Sequence, residues 1–244
     1  MTVAFGTYTF PETFTVEGLG FDMRLDDAPV PRRHGSRIIA SVVGTRTVRV
    51  KGVIHSINEG TAWSDLNNML RSLAAAGQQG LLLRTGIVMD CWLDKFGHDF
   101  VPGANPNVAN VKADFKASNP FPRSTVAGLT VVGLTSTAVD FALTNAGTAD
   151  AYPVFNISAP GLSILGTVSI RSLNTGDEIQ FTKGIPDGST IIIDTDVMTC
   201  TLDGRNAVDG LAGTFPRLLP GTNTIRVSGG TMLFQAEWYD RYYA

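Results

Sequence analysis

The chain has 244 residues, enough for one or two domains that each bury a core. Charged residues make up 17% of it, against roughly 25% in ordinary soluble chains. The formal net charge of −3 excludes general nucleic-acid binding, which needs clustered Lys and Arg to displace phosphate counterions.

In chain order, Met1-Thr2-Val3-Ala4-Phe5-Gly6 has no basic region followed by an apolar core and does not read as a signal peptide. No uninterrupted apolar run is long enough to span a membrane, so the expected setting is a cytoplasm, or assembly there into something larger. Residues 13–17 alternate, with Phe14 and Val16 on one face. Residues 22–44 contain Asp26-Asp27, Pro29, Pro31 and Arg32-Arg33-His34-Gly35, and predict either a loop or a long extended hairpin. Residues 46–55 predict a strand with Val48, Val50 and Ile54 inward and Arg49, Lys51 and His55 outward. Residues 61–76 predict the chain's one helix, capped by Thr61 and ended by Gly77, with Trp63, Leu66, Met69, Leu70 and Leu73 on its core stripe. Residues 80–85 and 87–93 predict two strands joined at Gly86, with Ile87, Met89, Cys91 and Leu93 on one face. Val111, Ala113 and Phe115 then alternate with Lys112, Asp114 and Lys116.

Pro120-Phe121-Pro122-Arg123-Ser124 predicts a domain boundary, because two prolines fix an extended connector and cannot sit inside a paired sheet. The expected domains are 1–122 and 123–244. Beyond the boundary, short strands recur at 139–143, 151–158, 164–172 and 191–193. Thr175-Gly176-Asp177 and Asp187-Gly188 supply turns between them, and the spacing predicts a β-sandwich. Val197 begins a further strand closed by Asp203-Gly204. Leu219-Pro220-Gly221 leads into 224–228, and Gly229-Gly230 predicts a two-residue hairpin into a last strand with Met232, Phe234, Ala236 and Trp238 on one face.

No residue cluster spells out a catalytic site. Asp194, Asp196 and Asp203 invite a calcium reading. Counted from Asp194, however, the sixth position is Thr199 rather than Gly and the twelfth is Arg205 rather than Glu. The three histidines, His34, His55 and His98, lack metal-ligand spacing. Cys91 and Cys200 read as buried thiols on strands of different domains. Trp238-Tyr239 and Tyr242-Tyr243 read either as a sugar-stacking platform or as core and rim; Trp238 keeps the parity of the core residues. No catalytic residue, cofactor or metal is expected.

The ordered set formed by Ile193-Asp194-Thr195, Asp203-Gly204-Arg205-Asn206, Phe215-Pro216, Pro220-Gly221-Thr222-Asn223, Gly229-Gly230 and the aromatic end resembles the C-terminal domain of distal tail proteins. These are baseplate-hub proteins of long-tailed, non-contractile bacteriophages. The strand, helix, hairpin and strand before Asn119-Pro120-Phe121-Pro122 is similar to the N-terminal domain of the same family. The resemblance implies a mainly β chain, with an N-terminal tail-tube-like domain bearing one α-helix and a C-terminal galectin-like β-sandwich. It implies a structural virion protein rather than an enzyme. Its partners would be five further copies in a hexameric ring, the tail tube protein, the tail-tip hub protein and peripheral receptor-binding proteins. DNA would pass through the lumen without specific binding, and no membrane is involved. In such a ring Asp26, Asp27, Arg32, Arg33, Arg49 and Lys51 are the candidate subunit-interface residues. Other readings are a carbohydrate-binding module or a tail-tube or tube-terminating subunit. The first is weakened because some family members carry an inserted sugar-binding domain for which this chain has no spare region.

Overall fold

The computed structural model describes residues 2–18, 23–29, 36–100, 107–135, 138–161 and 163–243, with backbone only for 23–29 and 36–43. The chain is mainly β and divides into two compact units, Met1–Pro122 with Tyr243–Ala244, and Arg123–Tyr242.

The first unit begins with β1 (Ala4–Phe5), β2 (Tyr8–Thr9) and β3 (Thr15–Glu17). Then come β4 (Met23–Pro29) and β5 (Ser36–Val43), paired with each other as an antiparallel hairpin separate from the main sheet. Of the two expectations for 22–44, the described part is thus the hairpin; Arg32, Arg33 and His34 lie outside the described residues. Next are β6 (Arg46–His55), α1 (Glu59–Ala75), β7 (Gln79–Arg84), β8 (Ile87–Phe100) and β9 (Val108–Ala117). The main sheet runs β2-β1-β7-β8-β9-β6-β3. Its inner face carries Val48, Val50, Ile54, Met89, Cys91, Val111, Ala113 and Phe115, all buried, with Leu66, Met69 and Leu73 of α1 in the same core. Gly52 falls on this inward parity without a side chain because the ring of Phe14 lies where its Cβ would be.

Three expectations for this unit are corrected. Helix α1 starts two residues earlier than expected, and Asn58, not Thr61, is its cap. The Asn58 carboxamide oxygen accepts from the Thr61 backbone N–H at 2.9 Å, satisfying one of the orphan donors of the first turn. The buried seam is Ala62, Leu66, Met69 and Leu73, while Trp63 and Leu70 are 43% and 38% exposed. A helix lying on a flat sheet buries a narrow seam, and Trp63 sits one position off it, resting on His98 and Phe100. Strand β8 also runs well past Leu93. A register shift between Leu93 and Lys95 reverses its parity, so Phe96 and Phe100 pack toward the core where the earlier odd-numbered parity would have placed Lys95 and Asp99.

The second unit contains β10 (Arg123–Ser124), β11 (Gly128–Leu134), β12 (Ala138–Asn145), β13 (Val154–Ser158), β14 (Val168–Ser172), β15 (Glu178–Phe181) and β16 (Thr190–Asp194). They are followed by β17 (Thr199–Leu202), β18 (Arg205–Asn206), β19 (Leu211–Gly213), β20 (Gly221–Ser228) and β21 (Met232–Trp238). One sheet runs β11-β21-β13-β16-β17-β18 and the other β12-β20-β14-β15-β19. Their inner faces meet in one core that includes Leu143, Phe155, Ile157, Ile170, Phe181, Ile191, Ile225, Phe234 and Trp238. This is the expected sandwich. The expected hairpin at Gly229-Gly230 is not formed. Strand β20 pairs with β12 and β14, whereas β21 pairs with β11 and β13, so the two glycines carry the chain from one sheet to the other. Gly229 has φ +139 and lies against Val168, a corner that a side chain could not take.

Candidate interface

Charge on the first unit concentrates on the outer face of its main sheet. Antiparallel register sets directly opposed residues side by side on one face. Across β3, β6, β9 and β8 it places Glu17, Arg49, Asp114 and Lys95 in a single row of alternating sign. Arg49 grips Asp114 through two hydrogen bonds, Nε to Oδ1 at 2.6 Å and Nη2 to Oδ2 at 2.9 Å. That fork holds the Asp114 carboxyl below its ordinary value and pushes the Arg49 guanidinium up. Lys51 pairs with Glu17. Lys51 also stands opposite Lys112, so a second row, Thr15, Lys51, Lys112 and Gly97, is positive. A shallow cleft of about 300 Å³ opens there between Thr13, Thr15, Lys51, Asp99 and Lys112. A second, of about 280 Å³, lies beside the half-exposed Trp92, with Thr45, Asp94, Lys116 and Ser118 around it.

The structure therefore brings Arg49 and Lys51 together on one exposed face, each already facing a carboxylate of its own chain. Asp26 and Asp27 sit on β4 at the irregularity of the hairpin, opposite Ala40 and Ile38. Arg32 and Arg33 are outside the described residues. Asp114, Glu17 and Lys95 were not expected to belong to this set. Glu17 and Asp114 fall on the outward parity of their strands in sequence, but Lys95 reaches this face only through the register shift in β8, and which strands lie side by side is not a local property.

The remaining candidates resolve into structural roles. The Asp194 carboxylate accepts from the backbone of Asp196 and Val197, closing the turn after β16. Asp196 pairs with Arg241 at 2.6 Å. Asp203 accepts from the Thr190 backbone N–H at 2.8 Å and adopts φ 48. Among the described residues no group of three or more His, Cys, Asp or Glu is placed to hold a metal ion. Cys91 and Cys200 are free and buried, and burial pushes their thiols up to about 12 and about 11. Trp238 fills the core and donates from Nε1 to the Thr144 carbonyl at 3.2 Å. One face of the Tyr239 ring carries the Arg123 guanidinium at 4.6 Å. Among the described residues no helix is long and apolar enough to cross a membrane.

Comparison with known proteins follows the same lines. Residues 146–242 match the family described as siphovirus-type tail component, C-terminal domain. Over 98% of both chains the fold is that of the phage SPP1 Dit protein, a paradigm of the hub adsorption apparatus in phages infecting Gram-positive hosts. The TM-score is 0.77 and the sequence identity 11%, a likeness of fold. A chain of the phage P2 baseplate in its activated conformation aligns over 96% of this chain and 90% of its own, at TM-score 0.47 and 11% identity. No curated protein matches the chain. The resemblance to distal tail proteins read from the sequence is borne out.

Proposed function

We propose that this chain, which carries a siphovirus-type tail component domain at 146–242, is the structural hub subunit at the distal end of a long, non-contractile phage tail. The family match carries this reading. The shared fold over nearly the whole of SPP1 Dit supports extending it to the first unit. Six copies form a ring that continues the tail tube, docks on the tip proteins below and offers its periphery to receptor-binding proteins. DNA crosses the lumen without specific contacts, and the role is mechanical rather than catalytic.

A ring of identical subunits needs a heterologous contact, one surface meeting a different surface of the next copy. The alternating row Glu17, Arg49, Asp114, Lys95 is a patterned surface of that kind. The β4–β5 hairpin, with Asp26-Asp27 on β4 and Arg32-Arg33 beyond it in the chain, supplies the other. Charges so arranged set register and orientation more than affinity. Mass measurement and negative-stain images of the purified chain are expected to show six-membered rings. Asp26→Lys with Asp27→Lys is expected to break them, and adding Arg49→Glu with Lys51→Glu to restore them in part. A monodisperse monomer at high concentration would overturn the ring.

A further inference from the structure

Among the described residues the second unit has four sheet edges, and three of them are protected against pairing with another chain. Strand β18 is two residues long and includes Arg205, and β19 is three residues long. Strand β12 is long but carries Asp140, held by Arg226 in a two-bond fork at 2.6 and 2.7 Å. The fourth edge is β11, Gly128-Leu-Thr-Val-Val-Gly-Leu134, paired only on its β21 side among the described residues. It is seven residues long, contains no proline, and lies in a stretch with no charged residue between Arg123 and Asp140. Its solvent face is apolar, with Leu129 58% and Val131 52% exposed. On the neighbouring strand the exposed Leu233 stands opposite Gly133 and adds to that face. Natural edges carry charge, proline or brevity to prevent strand addition, and β11 carries none of these.

We infer that β11 is a strand-pairing surface, and that its occupant is β11 of a second copy, joined antiparallel about a two-fold axis at Val131. Two observations select that occupant. First, nothing charged on the strand repels its own image, whereas like charges directly opposite would. Second, the strand is complementary to itself in size. Reversed about Val131, Leu129 lies opposite Gly133 on the exposed face, so this large side chain meets a residue without one. Val131 meets Val131 on the apolar face. The result is one continuous sheet through both copies, with backbone N–H and C=O groups supplying the affinity and the Leu–Gly fit the register. This contact is isologous and independent of any contact made by the first unit.

The full-length chain carries the test. Val131→Cys places two thiols within reach across the axis, since directly opposed Cβ atoms in a sheet lie about 4.5–5.5 Å apart. Mild oxidation is expected to give disulfide-linked dimers of Val131→Cys. It is expected to give none of Val126→Cys, a more exposed position outside the strand, and the two native cysteines are buried. Val131→Lys, with its circular dichroism and melting temperature unchanged, is expected to halve the particle mass. If the chain forms rings, that is two rings becoming one; if it does not, a dimer becoming a monomer, so failure of the ring and failure of this pairing are separable. Equal cross-linking of the two cysteine variants, or a mass unaffected by Val131→Lys, would overturn the pairing.

Discussion

At Gly128 the physics of one missing atom decides a large side chain. A Cβ there would overlap the Trp238 indole, the cross-strand neighbour on β21. Gly128→Ala is expected to destabilise the second unit by about 1–3 kcal/mol through overpacking. Urea unfolding followed by Trp238 fluorescence measures it, and an unchanged midpoint would show that the indole moves at no cost. Arg46 is the other residue whose role sequence does not disclose. It opens an alternating strand on the inward parity, where its neighbours are Val48 and Val50, and it is 1% exposed. Its Nη1 donates to the Pro120 and Tyr243 carbonyls at 3.1 and 3.3 Å, while Nε and Nη2 have no hydrogen-bond partner among the described residues. Burial lowers its pKa, the direction that desolvation of a cation dictates. Two backbone carbonyls distant in sequence thus converge on one guanidinium, and only the folded chain brings them there.

Elements obey local signals at their ends and tertiary ones along their faces. Helix α1 ends where Gly77, at φ +63, no longer continues it, and starts where Asn58 caps it. Asn58→Ala is expected to cost about 1 kcal/mol, with Asn58→Asp or Asn58→Ser retaining most of the stability. Thermal melts of the three variants decide this, and equal losses in all would show that the side-chain oxygen is not the cap. Thr61 is also a capping type, but its hydroxyl donates to the Asn58 carboxamide oxygen at 3.0 Å instead of capping the helix. A wide apolar stripe that takes in Trp63 and Leu70 shares most of its members with the narrow buried seam, so sequence does not separate the two. The Gly229-Gly230 turn misled for a different reason. Two alternating runs joined by two glycines fit a hairpin and a change of sheet equally well, and what separates them is the pairing of β20 with β12 and β14.

At the scale of the molecule, surface carboxylates link stability to acid. Arg49 holds Asp114 below its ordinary value, Arg226 does so for Asp140, Gln180 and Ser169 for Glu178, the Thr190 backbone for Asp203, and Lys183 for Asp209. A carboxylate depressed in the folded state stabilises it fully above the unfolded value of about 4, and that contribution is lost as pH falls toward the folded value. The urea midpoint is therefore expected to be flat near neutrality and to fall between about pH 5 and about pH 3. A midpoint constant through that window would mean these pairs add nothing to the fold. Because the pairs are exposed, the same loss is expected on raising salt at neutral pH, in weaker form.

Sequence by itself determined the class of the fold, the alternation of nearly every long strand, the position of the helix and the signature segment at 193–238. All of these are written in local periodicity and turn chemistry, which need no knowledge of neighbours. It also placed Arg49 and Lys51 on one exposed face, since parity along β6 is a local property. Tertiary structure alone decided which strands are adjacent, and so which charges meet: the row Glu17, Arg49, Asp114, Lys95 joins β3, β6 and the consecutive pair β9 and β8, stretches up to 97 positions apart in the chain. It alone decided that β11 is an edge, because an edge is defined by the absence of a neighbour, and every strand pattern looks the same whether one side of it is paired or two.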